Sequence, residues 1–308
     1  DRGRDGGRAA EGRRTVEGGE DRMPLVRILR KAPPWATTAS AFILAVAAAM
    51  FVPPGWVQGA VWQVPGQLML DETSKFSHVK VTRDGGVRTL WFVRDSGEHV
   101  IESKVDLGRR DDLLIEYTRF MFLSYVFNPQ PKRSLIVGLG GGAMVHFLQA
   151  KDPDLKVDVV EIDPLIVSVA DRFFDVRTEG NVDVKVADGL AYLRSTDVKY
   201  DVIYMDAFLR PSAVTDRVGV PRHLKTKQFY DQIVRARLNP DGVVVFNLNP
   251  HNSVFEDIRT IKSVFPNTYV FKLTGYDGYV VVASTAEKKW DSIAVSADDR
   301  HWFLVNAA

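Results

Sequence analysis

In the middle of the chain, glycines and acidic residues follow directly after apolar runs. The apolar run 135–137 precedes a loop whose glycines are Gly138, Gly140, Gly141 and Gly142. Because glycine has no side chain and tolerates positive φ, such a loop can turn tightly and bring its backbone close to a ligand. Glu161 ends the next apolar run, roughly 20 residues after the loop, which is the spacing of a βαβ unit that holds a nucleoside ribose. The sequence therefore predicts a nucleoside site.

Three more acidic residues follow predicted strands. Asp163 lies in the segment of Glu161, Asp188 follows the third strand with Gly189 behind it, and Asp206 ends the fourth. Ligands of open parallel sheets bind beyond the carboxyl ends of the strands, so we expect Asp188 on an adenine amine and Asp206 on a cationic centre. Glu161, Asp188 and Asp206 could each instead stabilise the start of the helix that follows, and it is the joint placement of the acids that favours the nucleoside site.

The composition excludes several classes of partner and chemistry. The 308 residues are 45% hydrophobic and 26% charged, as in an ordinary globular protein of about two domains. The net charge of +1 gives no basic surface, so no nucleic-acid partner is expected. The absence of cysteine excludes disulfides and thiolate chemistry, and the six histidines show no metal-ligand spacing, so no metal is predicted.

The N-terminal part differs in composition from the rest. Residues 1–34 form a basic N-terminus. Its first 22 residues are poor in apolar side chains, which predicts disorder, and Met23 is a candidate for the true start. Residues 35–66 form a hydrophobic segment, uncharged from 35 to 52, that fits a membrane anchor, a signal peptide or a core helix. We expect membrane association through 35–52. Basic residues before the segment favour an outer position of the enzyme domain, whereas cofactor supply favours the cytoplasmic face.

The remaining elements predict an α/β fold. Residues 67–110 alternate as β-hairpins around a turn at 84–86, residues 111–127 show helical spacing, and strands alternate with helices across a Rossmann-like domain over 111–290. A tail over 291–308 follows. The full prediction is a doubly wound Rossmann-like sheet with a small N-terminal β-hairpin domain and an N-terminal hydrophobic helix. Its strands are expected at 134–138, 157–161, 182–186, 201–205, 242–247, 268–272 and 279–283.

From about residue 70 to 285 the chain resembles the spermidine synthase family of polyamine aminopropyltransferases, which has the class I S-adenosylmethionine-dependent fold. The segments that carry the resemblance are 72–76, 140–142, 161–163, 188–189, 200–206, 224–230 and 238–242. The resemblance implies a site for S-adenosylmethionine or its decarboxylated form, and it allows a homodimer. The residues it assigns to this site are Gly138, Gly140, Gly141, Gly142, Glu161, Asp163, Asp188, Gly189 and Asp206.

Several positions depart from the family pattern. Ala143 and Leu209 stand where the family has acids, Arg119 where its polyamine segment has one, and Ser77 where a strand glutamine is expected. A polyamine needs carboxylates to offset its desolvation. The sequence therefore favours a divergent member that transfers a methyl group to a small, partly apolar acceptor, with putrescine a poor substrate.

The candidates for proton handling in that reaction are His78 and three residues assigned as catalytic, Asp206, His223 and Tyr117. Two alternatives stay open. One is a divergent aminopropyltransferase that makes methylthioadenosine, and the other is a non-catalytic nucleoside-binding protein.

Overall fold

The computed structural model describes residues 64–286, which fall in the compact unit Trp62–Ala308. The predicted disordered N-terminus, the hydrophobic helix and the C-terminal tail lie outside these residues. None of the helices within 64–286 is long and apolar enough to cross a membrane. The predicted membrane localisation is therefore corrected: residues 35–52, on which it rested, lie outside the described range, and nothing within that range supports it.

The first sheet contains the predicted hairpins. Its four antiparallel strands pair in chain order: β1 Gln67–Thr73, β2 His78–Asp84, β3 Val87–Val93 and β4 His99–Asp106. A two-residue turn at Gly85 joins β2 to β3, and the positive φ of +56° there suits glycine. Val79, Val81 and Leu90 are fully buried, so one face of the sheet packs against the rest of the protein.

The second sheet has seven strands in the order β10-β11-β9-β8-β5-β6-β7, parallel except for β11, which runs antiparallel to both neighbours. The strands read as nearly continuous apolar runs because helices cover both faces. This arrangement confirms the Rossmann-like, methyltransferase-type prediction. The strand bounds are β5 Arg133–Val137, β6 Lys156–Glu161, β7 Val182–Val186, β8 Tyr200–Met205, β9 Leu238–Leu248, β10 Asn267–Lys272 and β11 Tyr279–Ser284.

The helices follow the prediction except at 111–127, where two short helices replace one. The fully buried Phe122 ends the first helix and stacks on Phe147 at a centroid distance of 4.3 Å, so tertiary packing interrupts the helical spacing. The helices are α1 Glu116–Met121, α2 Ser124–Phe127, α3 Ala143–Lys151, α4 Pro164–Phe174, α5 Gly189–Ser195, α6 Lys227–Phe229, which continues as a π-helix over Tyr230–Val234, and α7 Val254–Lys262.

Candidate functional site

The strand register brings the predicted site residues to one level of the sheet. Val137 pairs with Val160 on one side and with Met205 on the other, so the residues that follow these three leave the sheet together. Gly138, Glu161 and Asp206 accordingly line one cavity of about 570 Å³, which we call the main cavity.

Only the first half of the glycine loop reaches the main cavity. Gly138 and Gly140 line it. A Cβ on Gly138 would lie 2.1 Å from the Asp206 carbonyl oxygen, at a φ of +102°, so this position requires glycine. Gly141 and Gly142 do not line it. Their added Cβ atoms would meet Phe174 and Val176, so these two glycines permit packing inside the protein, which corrects their assignment to the nucleoside.

Glu161 keeps the geometry expected of a ribose ligand. Its Oε2 accepts the Leu139 backbone N–H at 2.9 Å, and its Oε1 accepts the Asp163 backbone N–H at 2.9 Å. Burial raises the Glu161 pKa to about 7, and these backbone bonds oppose the rise. Since each carboxylate oxygen can accept more than one hydrogen bond, both remain able to hold a ribose hydroxyl.

Asp163 and Asp188 both cap helices. Asp163 Oδ1 accepts the Leu165 N–H at 2.9 Å, and Oδ2 accepts the Ser74 and Ser77 hydroxyls at 2.6 and 2.5 Å. Its carboxylate is therefore committed to joining the first sheet to α4, although the residue lines the main cavity. Asp188 Oδ1 caps α5 through the Ala191 N–H at 2.8 Å, and its Oδ2 lies 3.6 Å from His223 Nε2. Gly189, also on the wall, is the first residue of that helix.

Two of the three residues predicted as catalytic meet. Asp206 Oδ2 accepts the Tyr117 hydroxyl at 3.2 Å, and Oδ1 accepts the Asn247 side-chain amide at 2.8 Å. Burial raises the Asp206 pKa to about 6 against these two bonds. The Tyr117 pKa is raised well above its usual value by burial and then by Asp206, so the phenol stays protonated and acts as a donor.

The third candidate, His223, is placed apart from them. It lies on a 3₁₀ turn, Arg222–Lys225, and its Nε2 is 3.6 Å from Asp188 Oδ2. Its neighbours Pro221 and Leu224 line the main cavity, whereas His223 itself does not.

Glu102 is a cavity residue that the sequence did not reveal. In the β3–β4 pairing, Leu90 opposes Ser103 and Trp91 opposes Ile101, which leaves Glu102 as the extra residue of a β-bulge. Bulges re-aim side chains next to functional sites. Glu102 lines the main cavity, and within residues 64–286 no hydrogen bond or ion pair engages its carboxylate. Burial, followed by repulsion from Asp206 and Glu161, raises its pKa to about 8.

Only two of the four positions that depart from the family pattern lie on the wall of the main cavity. Ala143 opens α3 inside the hydrophobic core, and the Arg119 guanidinium Nε donates to the Leu113 carbonyl oxygen at 3.0 Å. Neither residue lines the main cavity, so neither changes its charge. Leu209 and Ser77 do line it, but Ser77 is bonded to Asp163. Ala143 and Arg119 therefore no longer argue against a cationic substrate.

The titratable side chains on the wall of the main cavity are all acidic. In the described part of the chain, no lysine, arginine or histidine lines it. Five carboxylates do: Glu102, Glu161, Asp163, Asp188 and Asp206.

A second cavity adjoins the first. Its empty space, which includes open solvent, is about 400 Å³, and it shares five lining residues with the main cavity, Ser77, Phe92, Glu102, Phe208 and Leu209. Arg94 and Arg210 line only the second cavity. The loop that carries Arg210 is held by two backbone bonds, from the Leu209 N–H to the Gly219 oxygen at 2.9 Å and from the Arg210 N–H to the Phe76 oxygen at 3.0 Å.

One cluster of the described residues has ligand atoms close enough to hold a metal, Asp216, His251 and Asp257. The Lys225 ammonium lies 2.5 Å from a carboxylate oxygen of each aspartate. A protein cation thus already balances these acids, and the cluster carries no argument for a metal.

Comparison with known proteins agrees with this geometry. The Spermine/spermidine synthase domain matches residues 116–298. A polyamine aminopropyltransferase of Vibrio vulnificus (strain CMCP6) is 29% identical over 218 residues, covering 70% of this chain and 70% of that relative. The Homo sapiens eEF1A lysine and N-terminal methyltransferase is 31% identical over 166 residues, covering 50% of this chain and 24% of that protein.

Two solved structures share the fold. A spermidine synthase in complex with the transition state analogue AdoDATO has a TM-score of 0.58 at 20% identity, covering 74% of this chain and 77% of the other. Human Methyltransferase-like protein 13 in complex with SAH has a TM-score of 0.53 at 24% identity, covering 63% and 90%. The family match spans more than half of the chain, so this protein is an S-adenosylmethionine-type transferase and belongs to the spermine/spermidine synthase family.

Proposed function

We propose that this enzyme is an aminopropyltransferase whose donor is decarboxylated S-adenosylmethionine rather than S-adenosylmethionine. The observation that carries the proposal is the charge of the main cavity, where five carboxylates line the wall and no basic side chain of residues 64–286 does. A donor whose tail ends in an ammonium finds partners there. A donor with a tail carboxylate would have to desolvate that group beside Glu102 and Asp206 without a cation to offset the cost.

Each wall residue has a role in this proposal. Glu161 holds the ribose hydroxyls, and Asp188 faces the adenine of the donor. Asp206, fixed by Tyr117 and Asn247, attracts the sulfonium and the tail ammonium together with Glu102. The donor supplies a carbon activated by the neighbouring sulfonium. The protein supplies position and charge, which is the main requirement of a displacement at such a carbon.

Methyl transfer, the leading prediction from the sequence, is the second candidate. It is favoured by the apolar side chains of Phe208 and Leu209 on the wall and by the relative named as an eEF1A lysine and N-terminal methyltransferase. The small-molecule acceptor and the homodimer stay predictions. The non-catalytic alternative is dropped, because the chain belongs to a transferase family.

Calorimetry and product analysis test the proposal. We expect decarboxylated S-adenosylmethionine to bind at least tenfold more tightly than S-adenosylmethionine, with methylthioadenosine, which has no charged tail, as the reference. Mass spectrometry of turnover mixtures should then show methylthioadenosine. Tighter binding of S-adenosylmethionine, with S-adenosylhomocysteine as the product, would establish methyl transfer instead.

A further inference from the structure

The second cavity is placed to hold the acceptor. It shares Glu102, Phe208 and Leu209 with the main cavity, so a molecule inside it touches the same wall as the donor tail. An acceptor that enters the second cavity therefore has one end at the shared wall and the other among residues that the donor does not reach.

The charge changes along this path. Glu102 is the acid of the shared wall, whereas Arg94 and Arg210 line only the second cavity. Both arginines form ion pairs at the surface, Arg94 with Glu98 at 3.1 Å and Arg210 with Asp95. These acids are 58% and 66% exposed, and ion pairs of that kind contribute little to stability.

The two guanidinium groups keep binding capacity in spite of these pairs. Each guanidinium has five N–H donors, of which one carboxylate partner engages at most two. The backbone at Arg210 is also anchored, because its N–H donates to the Phe76 oxygen at 3.0 Å and the neighbouring Leu209 N–H donates to the Gly219 oxygen. Arginine is the residue best suited to bind a carboxylate.

We infer that the acceptor is a primary amine with a carboxylate at its other end, an ω-amino acid, and not a diamine. The amine faces Glu102 at the shared wall and the carboxylate faces Arg94 and Arg210. A diamine of the same length would place its second ammonium beside two guanidinium groups. This inference rests on the proposed aminopropyl transfer for its donor, and only on the second cavity for its acceptor.

The reaction balances with these groups. The acceptor ammonium gives one proton to Glu102, and the free nitrogen lone pair forms a bond to the propyl carbon next to the sulfonium. The carbon–sulfur bond breaks, its electron pair stays on sulfur, and methylthioadenosine leaves as a neutral thioether. The product is a secondary ammonium. Glu102 thereby acts as the base. Leu209, which lines the same shared wall, has no group that could accept a proton.

Calorimetry on the protein saturated with methylthioadenosine tests the acceptor class alone. The probes are putrescine and 4-aminobutanoate, which have the same chain length and differ in one end group, with 3-aminopropanoate and 6-aminohexanoate to vary the length. We expect at least one amino acid to bind tenfold or more tightly than putrescine. Arg94→Gln and Arg210→Gln should each lower that affinity about tenfold or more, and Arg83→Gln, on β2 and outside both cavities, should leave it unchanged.

Turnover separates this inference from the proposed function. The amino acid and putrescine are each incubated with decarboxylated S-adenosylmethionine and with S-adenosylmethionine. If the amino acid is favoured but only S-adenosylhomocysteine forms, the donor assignment fails and the acceptor class stands. If methylthioadenosine forms with putrescine as the better substrate, the acceptor class is overturned and the donor assignment stands. If no amino acid binds more tightly than putrescine, the acceptor class is overturned whichever product forms.

Discussion

Glu102 makes donor binding depend on pH in a way that can be calculated. Its pKa is about 8 in the free protein. A group with that pKa is ionised in about one molecule of eleven at pH 7 and about three of four at pH 8.5, so binding that needs the carboxylate becomes about eightfold tighter. Glu161, with a pKa of about 7, adds about a further twofold for any nucleoside over the same interval.

The assay is calorimetry at pH 7 and pH 8.5 with two nucleosides. Decarboxylated S-adenosylmethionine should gain about sixteenfold in affinity, and methylthioadenosine, which has no tail charge, only about twofold. In Glu102→Gln both nucleosides should gain about twofold, because only the Glu161 contribution remains. If the variant keeps the eightfold difference between the two nucleosides, Glu102 does not face the donor tail and the reasoning is refuted.

Three further predictions concern the rest of the site. Glu161→Gln leaves one acceptor oxygen for two backbone donors and the ribose, so calorimetry should show a loss of about 1.5–3 kcal/mol in methylthioadenosine binding; unchanged affinity would remove Glu161 from the site. Gly138→Ala should lower the free energy of unfolding in urea by about 2 kcal/mol or more, whereas Gly141→Ala, whose Cβ meets only the movable Phe174 and Ser103 side chains, should lose less; the reverse order would contradict the loop geometry. Tyr117→Phe removes a bond that stabilises ionised Asp206, so the Asp206 pKa should rise above about 6 in a carbon-detected NMR titration, and a fall would refute the assigned hydrogen bond.

The parts of the site that lie at strand ends could be predicted from the sequence. Apolar runs before Gly138, Glu161 and Asp206 fixed where each strand stops, and parallel pairing then sets their ends side by side. The sequence offers the capping role of Asp188 as an alternative, because a helix follows that residue, whereas the capping role of Asp163 was not predicted. The sequence could not show that Ser74 and Ser77, distant along the chain, would fill the remaining acceptors of Asp163.

Glu102 escaped prediction for a geometric reason. Alternation along a strand predicts which side chains face inward only while the pairing register is unbroken. The bulge at Glu102 shifts that register, so the pattern of β4 gives no sign of the side chain that lines the main cavity. Ala143 and Arg119 show the opposite error, since motif positions that looked chemical turned out to face the core and a backbone carbonyl.

The loop after Asp206 closes on itself, and this closure has a consequence for the chain as a scaffold. The Leu209 N–H binds the Gly219 oxygen, where a φ of +98° requires glycine, and Thr215 bridges to Pro221. Its two ends are thus fixed to each other independently of the side chains between them. The loop therefore constitutes a cassette: a segment of different chemistry with the same closing ends could be grafted in its place, changing the second cavity while the strands that carry the main cavity stay untouched.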